Sequence, residues 1–416
     1  MLPKYEQYNK AYKDINGKKI SDLIPWFMSD CGWNTFRVRI FVHPDKKAPD
    51  YKSSDLAVCQ DLEYVTALGK RIKDAGAYFM LDFHYSDSWV DAGHIQAPAA
   101  WKGASDEVMA DSVGRYTREV LTALNAAGAT PDLVQVGNEI MYGLCERKVN
   151  PYNSTSGTNW PGYLMLLKAG CNAVRDLCPN AQIIIHTDRP TNRIYNKNYY
   201  SVLVNNQVDF DVIGLSYYPF WHAGMNPTET NTGAEVLQPL INAINQLAVD
   251  FPTKRVQIVE FAYNYQYWPT SGVNYDTRPV WPCQDDDKGS DGIKGQFNFV
   301  KDLVDNLKPL TNLDGINYWF PEEAGTGDNG TVMAGYLNRG FWNPAAGSSG
   351  HSILKVGAAS LGQCAPYHMR NFHNSGTGME NINLPSDIPC RKILKEGQLL
   401  IRRSDGSLFA PDGSRR

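Results

Sequence analysis

From residue 21 to about residue 361 one unit recurs: apolar residues on a single helical face, a stop, and a short, almost purely apolar run. Ser21 can cap a first helix that Gly32 ends, and the strand Phe36–Phe41 follows directly. A helix near 60–75 carries Val65, Leu68, Ile72 and Ala75 on one face, stops at Gly76 and leads to Tyr78–Phe83. The unit repeats as helix 107–127 with strand Leu133–Val136, helix 160–178 with Gln182–His186, and a shorter helix 197–205 with Phe210–Leu215. Helix 233–250 precedes Val256–Glu260, helix 292–307 precedes Gly315–Trp319, and a helical stretch at about 350–361 closes the series. Strands this apolar are buried on both faces, which means a parallel sheet sheathed in helices. Packing so many units into one domain points to a (β/α)8 TIM barrel.

The strand count refines that expectation. Seven strands are found, and a helix precedes the first of them. An eight-stranded barrel would then have its opening strand upstream of Met1, so the chain is expected to start late within the barrel. Residues 262–290 and 321–349 are too long for simple connections and belong on the face where barrel enzymes carry their sites. The barrel is assigned residues 1–363. The tail, 364–416, reads as a small appended β module with a hairpin turn at Asp405-Gly406.

Composition removes several partners. A net charge of -4 argues against a nucleic-acid surface. No apolar stretch reaches the roughly 18 residues needed to span a bilayer. The start MLPKYEQYNK has no apolar export segment. Eight cysteines include no CxxC pair, so no zinc spacing is present; Cys171 and Cys178 are a candidate disulfide. Ten Trp and 23 Tyr offer flat faces that stack on sugars or serve ordinary packing.

Two carboxylates stand where a barrel keeps its chemistry. Glu139 directly follows the strand LVQV and Glu260 ends the strand VQIVE, both at C-terminal strand ends. A pair of carboxyl groups across a sugar bond is what glycoside hydrolysis requires; ordinary capping carboxylates are the bland alternative. Arg37 and Arg39 share one strand face, as do Asp82 and His84 one strand on. For Arg39 a structural ion pair, and for Asp82 with His84 a satisfied core pair, stand beside the binding roles. Trp89, Trp221 and Trp342 are candidate outer platforms, with loop packing as the alternative.

Several blocks, in order, resemble the glycoside hydrolase family 53 endo-β-1,4-galactanases over about residues 1–345. They are Arg37-Val38-Arg39, Asp82-Phe83-His84-Tyr85-Ser86-Asp87-Ser88-Trp89 with Pro98 and Trp101, Gly137-Asn138-Glu139-Ile140, Ile185-His186-Thr187-Asp188, Ser216-Tyr217-Tyr218-Pro219-Phe220-Trp221 and Tyr318-Trp319. The resemblance implies Glu139 as acid/base and Glu260 as nucleophile of a retaining reaction on β-1,4-galactan. It places these glutamates on strands four and seven, which holds only if one strand precedes Met1. It further implies that Arg37 pairs with Glu260, Asn138 meets the sugar 2-hydroxyl, Tyr218 bonds the nucleophile and Trp319 lies under the reactive sugar. Asp188 is assigned to substrate binding on the same ground.

The pattern departs in two places. Phe261-Ala262-Tyr263-Asn264-Tyr265 follows the nucleophile where the family has Thr, a small residue, then Tyr-Pro-Trp, and Trp319-Phe320-Pro321 replaces Trp-Glu-Pro. No cofactor is expected; a structural calcium near Asp285-Asp286-Asp287 is the one metal considered, without ligand spacing to support it. The resemblance also implies an exported protein, and a monomer is expected. A β-mannanase or β-glucanase using the same glutamates, or a non-catalytic sugar-binding barrel, remain open alternatives.

Overall fold

The computed structural model describes Leu2, Glu6 and residues 11–44, 59–152, 158–226, 228, 230–265, 280–282, 292–323, 339–343, 350–356 and 364–372, with 391–395, 398–402 and 408–409 in the tail. Seven parallel strands form its main sheet: β1 (Thr35–Ile40), β2 (Tyr78–Phe83), β3 (Leu133–Val136), β4 (Gln182–Thr187), β5 (Val212–Tyr217), β6 (Arg255–Phe261) and β7 (Leu313–Tyr318). Their hydrogen-bonded order is β7-β6-β5-β4-β3-β2-β1, the chain order reversed. The sheet curls until Cα atoms of the edge strands β1 and β7 come within 8 Å, with no ladder between them. This is the TIM-barrel plan with seven of its strands among the described residues.

Among the described residues, seven helices of at least seven residues cover the outside: α1 (Leu23–Ser29), α2 (Leu62–Asp74), α3 (Asp106–Ala126), α4 (Trp160–Leu177), α5 (Arg193–Asn205), α6 (Gly233–Asp250) and α7 (Gly292–Leu307). The first six start where a short polar side chain takes an otherwise free amide: Asp22, Asp61, Ser105, Asn159, Asn192 and Thr232. Each such cap contributes about 1 kcal/mol. Thr232 and Glu235 complete a reciprocal capping box at α6. The first cap is Asp22 rather than the expected Ser21.

Alternation along the strands builds two cores. Phe79, Leu81, Phe83, Val134, Val136, Ile183, Ile185, Ile213 and Leu215 pack outward in the large cluster shared with the helices. Tyr78, Met80, Leu133, Ile184, Val212 and Val259 form a separate cluster inside the curl. Nearer the C-terminal strand ends, the inward positions turn polar: Arg37, Asp82, Gln135, His186 and Ser216. The apolar layer is a floor, and the polar layer stands on it.

One irregularity sets the site. In the β5–β6 ladder Ile258 pairs with Leu215 but Glu260 pairs with Ser216, so Val259 is an extra residue. Strict alternation would turn Val259 inward and Glu260 out toward the helices. The bulge lets both point inward, as bulges beside active sites commonly do. Gly214 makes room: a Cβ there would meet Ile184 Cγ2 at 2.7 Å and both Val259 methyls at 3.2 Å.

Four expectations are corrected. Residues 350–356 are not helical, because their amides serve the N-terminal segment; His351 N donates to Ala11 O and Lys13 N to His351 O. The remainder of that stretch, 357–361, lies outside the described residues. The barrel unit extends through Asn374 rather than 363, since Cys364, Ala365, Tyr367 and Met369 are buried in its core. Cys171 and Cys178 are free buried thiols; seven residues of helical rise separate them by about 10 Å, beyond disulfide reach. Trp342, expected as an outer platform, has no exposed surface; it packs on Tyr12 at 4.8 Å and donates to Lys13 O at 3.1 Å.

The second unit, Ser375–Arg416, contains an antiparallel three-stranded sheet of Arg391–Lys395, Gln398–Arg402 and Leu408–Phe409. The Asp405-Gly406 turn, Asp285-Asp286-Asp287, Cys283 and Cys390 lie outside the described residues.

The placement of Trp342 is directly testable. Trp342→Ala should cost about 3–5 kcal/mol in urea unfolding, the range for emptying a buried aromatic site. A surface platform would change stability by less than about 0.5 kcal/mol.

Candidate active site

The polar layer is organised around one guanidinium. Arg37 Nη1 donates to Glu260 Oε2 at 2.9 Å, and Nη2 donates to Asp82 Oδ2 and Asn138 Oδ1, both at 2.8 Å. Its Nε donates to Gln135 Oε1 at 3.2 Å. Tyr218 Oη donates to the other oxygen of Glu260 at 2.6 Å. Glu260 thus has a cation on one oxygen and a phenol on the other, a charge-assisted arrangement that fixes its orientation.

Asp82 is fully buried below Arg37. Burial alone would raise its pKa, but Arg37 and then His84 outweigh it and hold the carboxyl at about 2. Val90 N donates to His84 Nδ1 at 3.2 Å, which leaves the proton on Nε2, 3.3 Å from Asp82 Oδ2. Asp82 and His84 therefore form a satisfied pair beneath the site and act on it through Arg37.

Glu139 follows β3 in a left-handed conformation, φ 49° and ψ 47°. For a residue with a side chain this costs about 1–2 kcal/mol, and local bonds hold it there. Its N–H donates to His186 Nδ1 at 3.3 Å. His186 Nε2 lies 2.8 Å from Ser216 Oγ, and Ser216 donates to Glu139 Oε1 at 2.5 Å. Burial, then Arg37, keeps His186 neutral, consistent with a single proton on Nε2. Glu139 Oε1 is thus an acceptor, leaving Oε2 for a proton.

The same carboxyl is pushed well above the ordinary range, first by burial, then by the charges of Glu260 and Asp188. Ser216 pairs with Glu260 in the ladder while bonding Glu139, so one residue stands between the two glutamates. Glu139 thus favours its protonated form opposite Glu260, the division of labour that separates a general acid from a nucleophile.

Residues 1–349 match Glycosyl hydrolase family 53. The chain belongs to this family. It is a glycoside hydrolase. A protein of Niallia circulans carrying the name uncharacterized protein in bgaB 5' region is 30% identical over 78% of this chain and 81% of its own length. The probable arabinogalactan endo-beta-1,4-galactanase A of Aspergillus terreus is 30% identical over 77% and 83%. Among solved structures, the GH53 catalytic domain of Ignisphaera aggregans superposes with a TM-score of 0.70 at 24% identity, covering 89% of this chain and 93% of that one. That last likeness concerns the fold.

Most residues singled out in this family 53 chain meet at one end of the barrel. Trp89 and Trp319 lie 6.5 Å apart, and Trp319 stacks on Phe320 at 4.6 Å. Arg39 does not carry an ion pair among the described residues; its guanidinium lies 4.0 Å over Trp89 and 5.2 Å from Phe320. Trp221 is 46% exposed and rims an open cavity of about 330 Å³ with Phe220, Gly224, Met225 and Asn226. Asp188, at the end of β4, is pushed up to about 6 by burial despite Arg189. Trp342 alone of the set is remote, in the core.

Gln135, His186, Ser216 and Arg339 had no role assigned from sequence. Gln135 Nε2 donates to Asp82 Oδ1 at 2.5 Å, and Arg339 lies 5.1 Å over Tyr218. The first three carried a signal: each is a polar residue at an inward position of an otherwise apolar strand. Arg339, some twenty residues beyond the end of β7 in the chain, carried none. Among the described residues no cluster of metal-ligating side chains occurs, and no helix is long and apolar enough to cross a membrane.

Asp82 gives a pH signature. Its folded pKa lies below the ordinary 3.8, so its stabilisation is complete above about pH 4 and lost as pH falls through about 2. Asp82→Asn should therefore flatten the stability profile between pH 5 and 2 by about 2 kcal/mol, measured by denaturant titration. At neutral pH the same change should cost about 3 kcal/mol, because buried Arg37 loses one of its two carboxylate partners.

Proposed function

We propose that this chain is an endo-β-1,4-galactanase that works by retaining double displacement, with Glu139 as acid/base and Glu260 as nucleophile. The observation that carries the reading is the asymmetry between the two glutamates. Glu260 is held by Arg37 and Tyr218, whereas Glu139 sits in an environment that favours its proton. In the first step Glu260 bonds to the anomeric carbon as the glycosidic C–O bond breaks, and Glu139 gives its proton to the departing oxygen. In the second, Glu139 takes a proton from water, the water oxygen attacks the same carbon, and Glu260 leaves. Two displacements at one carbon return the β configuration.

Tyr218 is raised by burial and by Glu260, so it remains a donor throughout. Trp319, with Trp89 beside it, supplies a flat face for the reacting sugar. Galactan as substrate rests on the relatives' names, which include arabinogalactan endo-beta-1,4-galactanases. Galactan is a polymer too large to enter a cell, so the reading places the enzyme outside the cytoplasm. No metal or cofactor takes part in either step.

Reducing-sugar release should follow on β-1,4-galactan and not on mannan or cellulose. Glu139→Gln and Glu260→Gln should each lower kcat by several orders of magnitude. Turnover of mannan instead would keep the mechanism and replace the substrate. The first product seen by proton NMR should be the β-anomer; the α-anomer would exclude retention. Activity should fall as pH rises through the raised pKa of Glu139, because the acid is then lost.

A further inference from the structure

A second cation stands in the wall of the site. Arg339 is 3% exposed, and its backbone is tied to the barrel at two points. Its carbonyl accepts from Tyr318 Oη at 2.7 Å, at the end of β7, and from Gln296 Nε2 at 3.0 Å, on α7. Gly340 follows because the chain crosses close over the turn after β7: a Cβ there would collide with Glu323 O. Phe341 then seats its ring 4.3 Å from that of Tyr318.

These ties bring the guanidinium over three aromatic faces, 5.1 Å from the Tyr218 ring, 5.9 Å from Trp319 and 6.0 Å from Trp221. At such distances the negative face of a ring attracts a cation. Two of the three rings serve the chemistry. Tyr218 donates to Glu260 Oε1 at 2.6 Å, and Trp319 is the flat face assigned to the reacting sugar. Taking a guanidinium out of water is costly, and an apolar side chain would fill the space without that penalty. What the charge adds is polarisation: a cation over a phenol ring makes its O–H a stronger donor. Burial and the Glu260 charge raise the Tyr218 hydroxyl, and Arg339 opposes them.

The other charged and titratable groups facing Glu260 come from four strands. Arg37 reaches it from β1, with Asp82, His84 and His186 behind that guanidinium. Glu139 faces it from the end of β3 and Tyr218 from the end of β5.

We propose that Arg339 is a positioning residue for the nucleophile: it holds Tyr218 and Trp319 in one cation–aromatic cluster and strengthens the Tyr218 hydrogen bond that keeps Glu260 ionised and aimed. The inference rests on Glu260 as the nucleophile. Arg339 lies in none of the sequence blocks that carry the family resemblance.

The test measures kcat and kcat/KM on β-1,4-galactan against pH for the parent, Arg339→Met, Arg339→Gln and Arg339→Lys. The acidic limb of kcat/KM follows ionisation of the nucleophile in the free enzyme. A nearby cation favours the carboxylate, so its removal should move that limb to higher pH. Both neutral variants should shift it by about half a unit to one unit. They should also lower kcat at the optimum about three- to tenfold. Arg339→Lys keeps the charge and should bring the limb back to that of the parent. Two neutral variants of different chemistry, each checked for native fold by near-UV circular dichroism, preserve the comparison if one misfolds. A lower rate with an unmoved limb, or a limb shifted as far by lysine as by methionine, would reduce Arg339 to packing and overturn the proposal. An active parent with no change in any variant would overturn it too, and leave the galactanase reading standing. A parent that does not turn over galactan would overturn that reading and this inference together.

Discussion

Everything in the site leans on the Arg37 guanidinium. A buried cation costs several kcal/mol unless its N–H groups are met by acceptors of opposite charge. Here the acceptors come from four places in the chain: Asp82 on β2, Gln135 on β3, Asn138 beyond it and Glu260 on β6. Satisfying one cation therefore fixes the relative positions of four strands, β1, β2, β3 and β6. It also gives Asp82 and His84 a reason to be present: they complete the charge balance that lets Arg37 face Glu260.

Glu139 is constrained differently. Its left-handed backbone costs energy locally, and the compensation is a relay from His186 through Ser216 to the carboxyl. The relay consumes Oε1 and leaves the second oxygen to carry the proton. Ser216 also lies opposite Glu260 in the β5–β6 ladder. The two carboxylates are thus referenced to the same strand, and their difference in environment follows from which donors reach each one.

Much of this was legible in sequence because parallel strands buried on both faces leave a strong signature. β2 and β3 have the bounds read from their apolar runs, and the other strands differ by a few residues at their ends. Period-two alternation put Arg37 and Arg39 on one strand face and Asp82 and His84 on another, whereas Gln135, inward by the same rule, was not singled out. The last helix failed for a reason local patterns cannot contain: residues 350–356 bond to the segment around Ala11 and Lys13, far away in the chain. Trp342 failed likewise, because a tryptophan in a loop reads the same whether the loop lies on the surface or over the N-terminal segment.

The sequence by itself determined the barrel plan and the two glutamates at strand ends, because periodicity and strand polarity are local properties; the pairing of Arg37 with Glu260 was implied by the family resemblance. Only the tertiary structure decided that Glu260 points inward, since strict alternation would turn it toward the helices and the Val259 bulge reverses this. It alone decided which glutamate favours its proton. That outcome depends on burial, on Arg37 beside Glu260 and on Asp188 near Glu139. Those are distances between residues far apart in the chain, and Coulomb energies follow distance in space rather than separation in sequence.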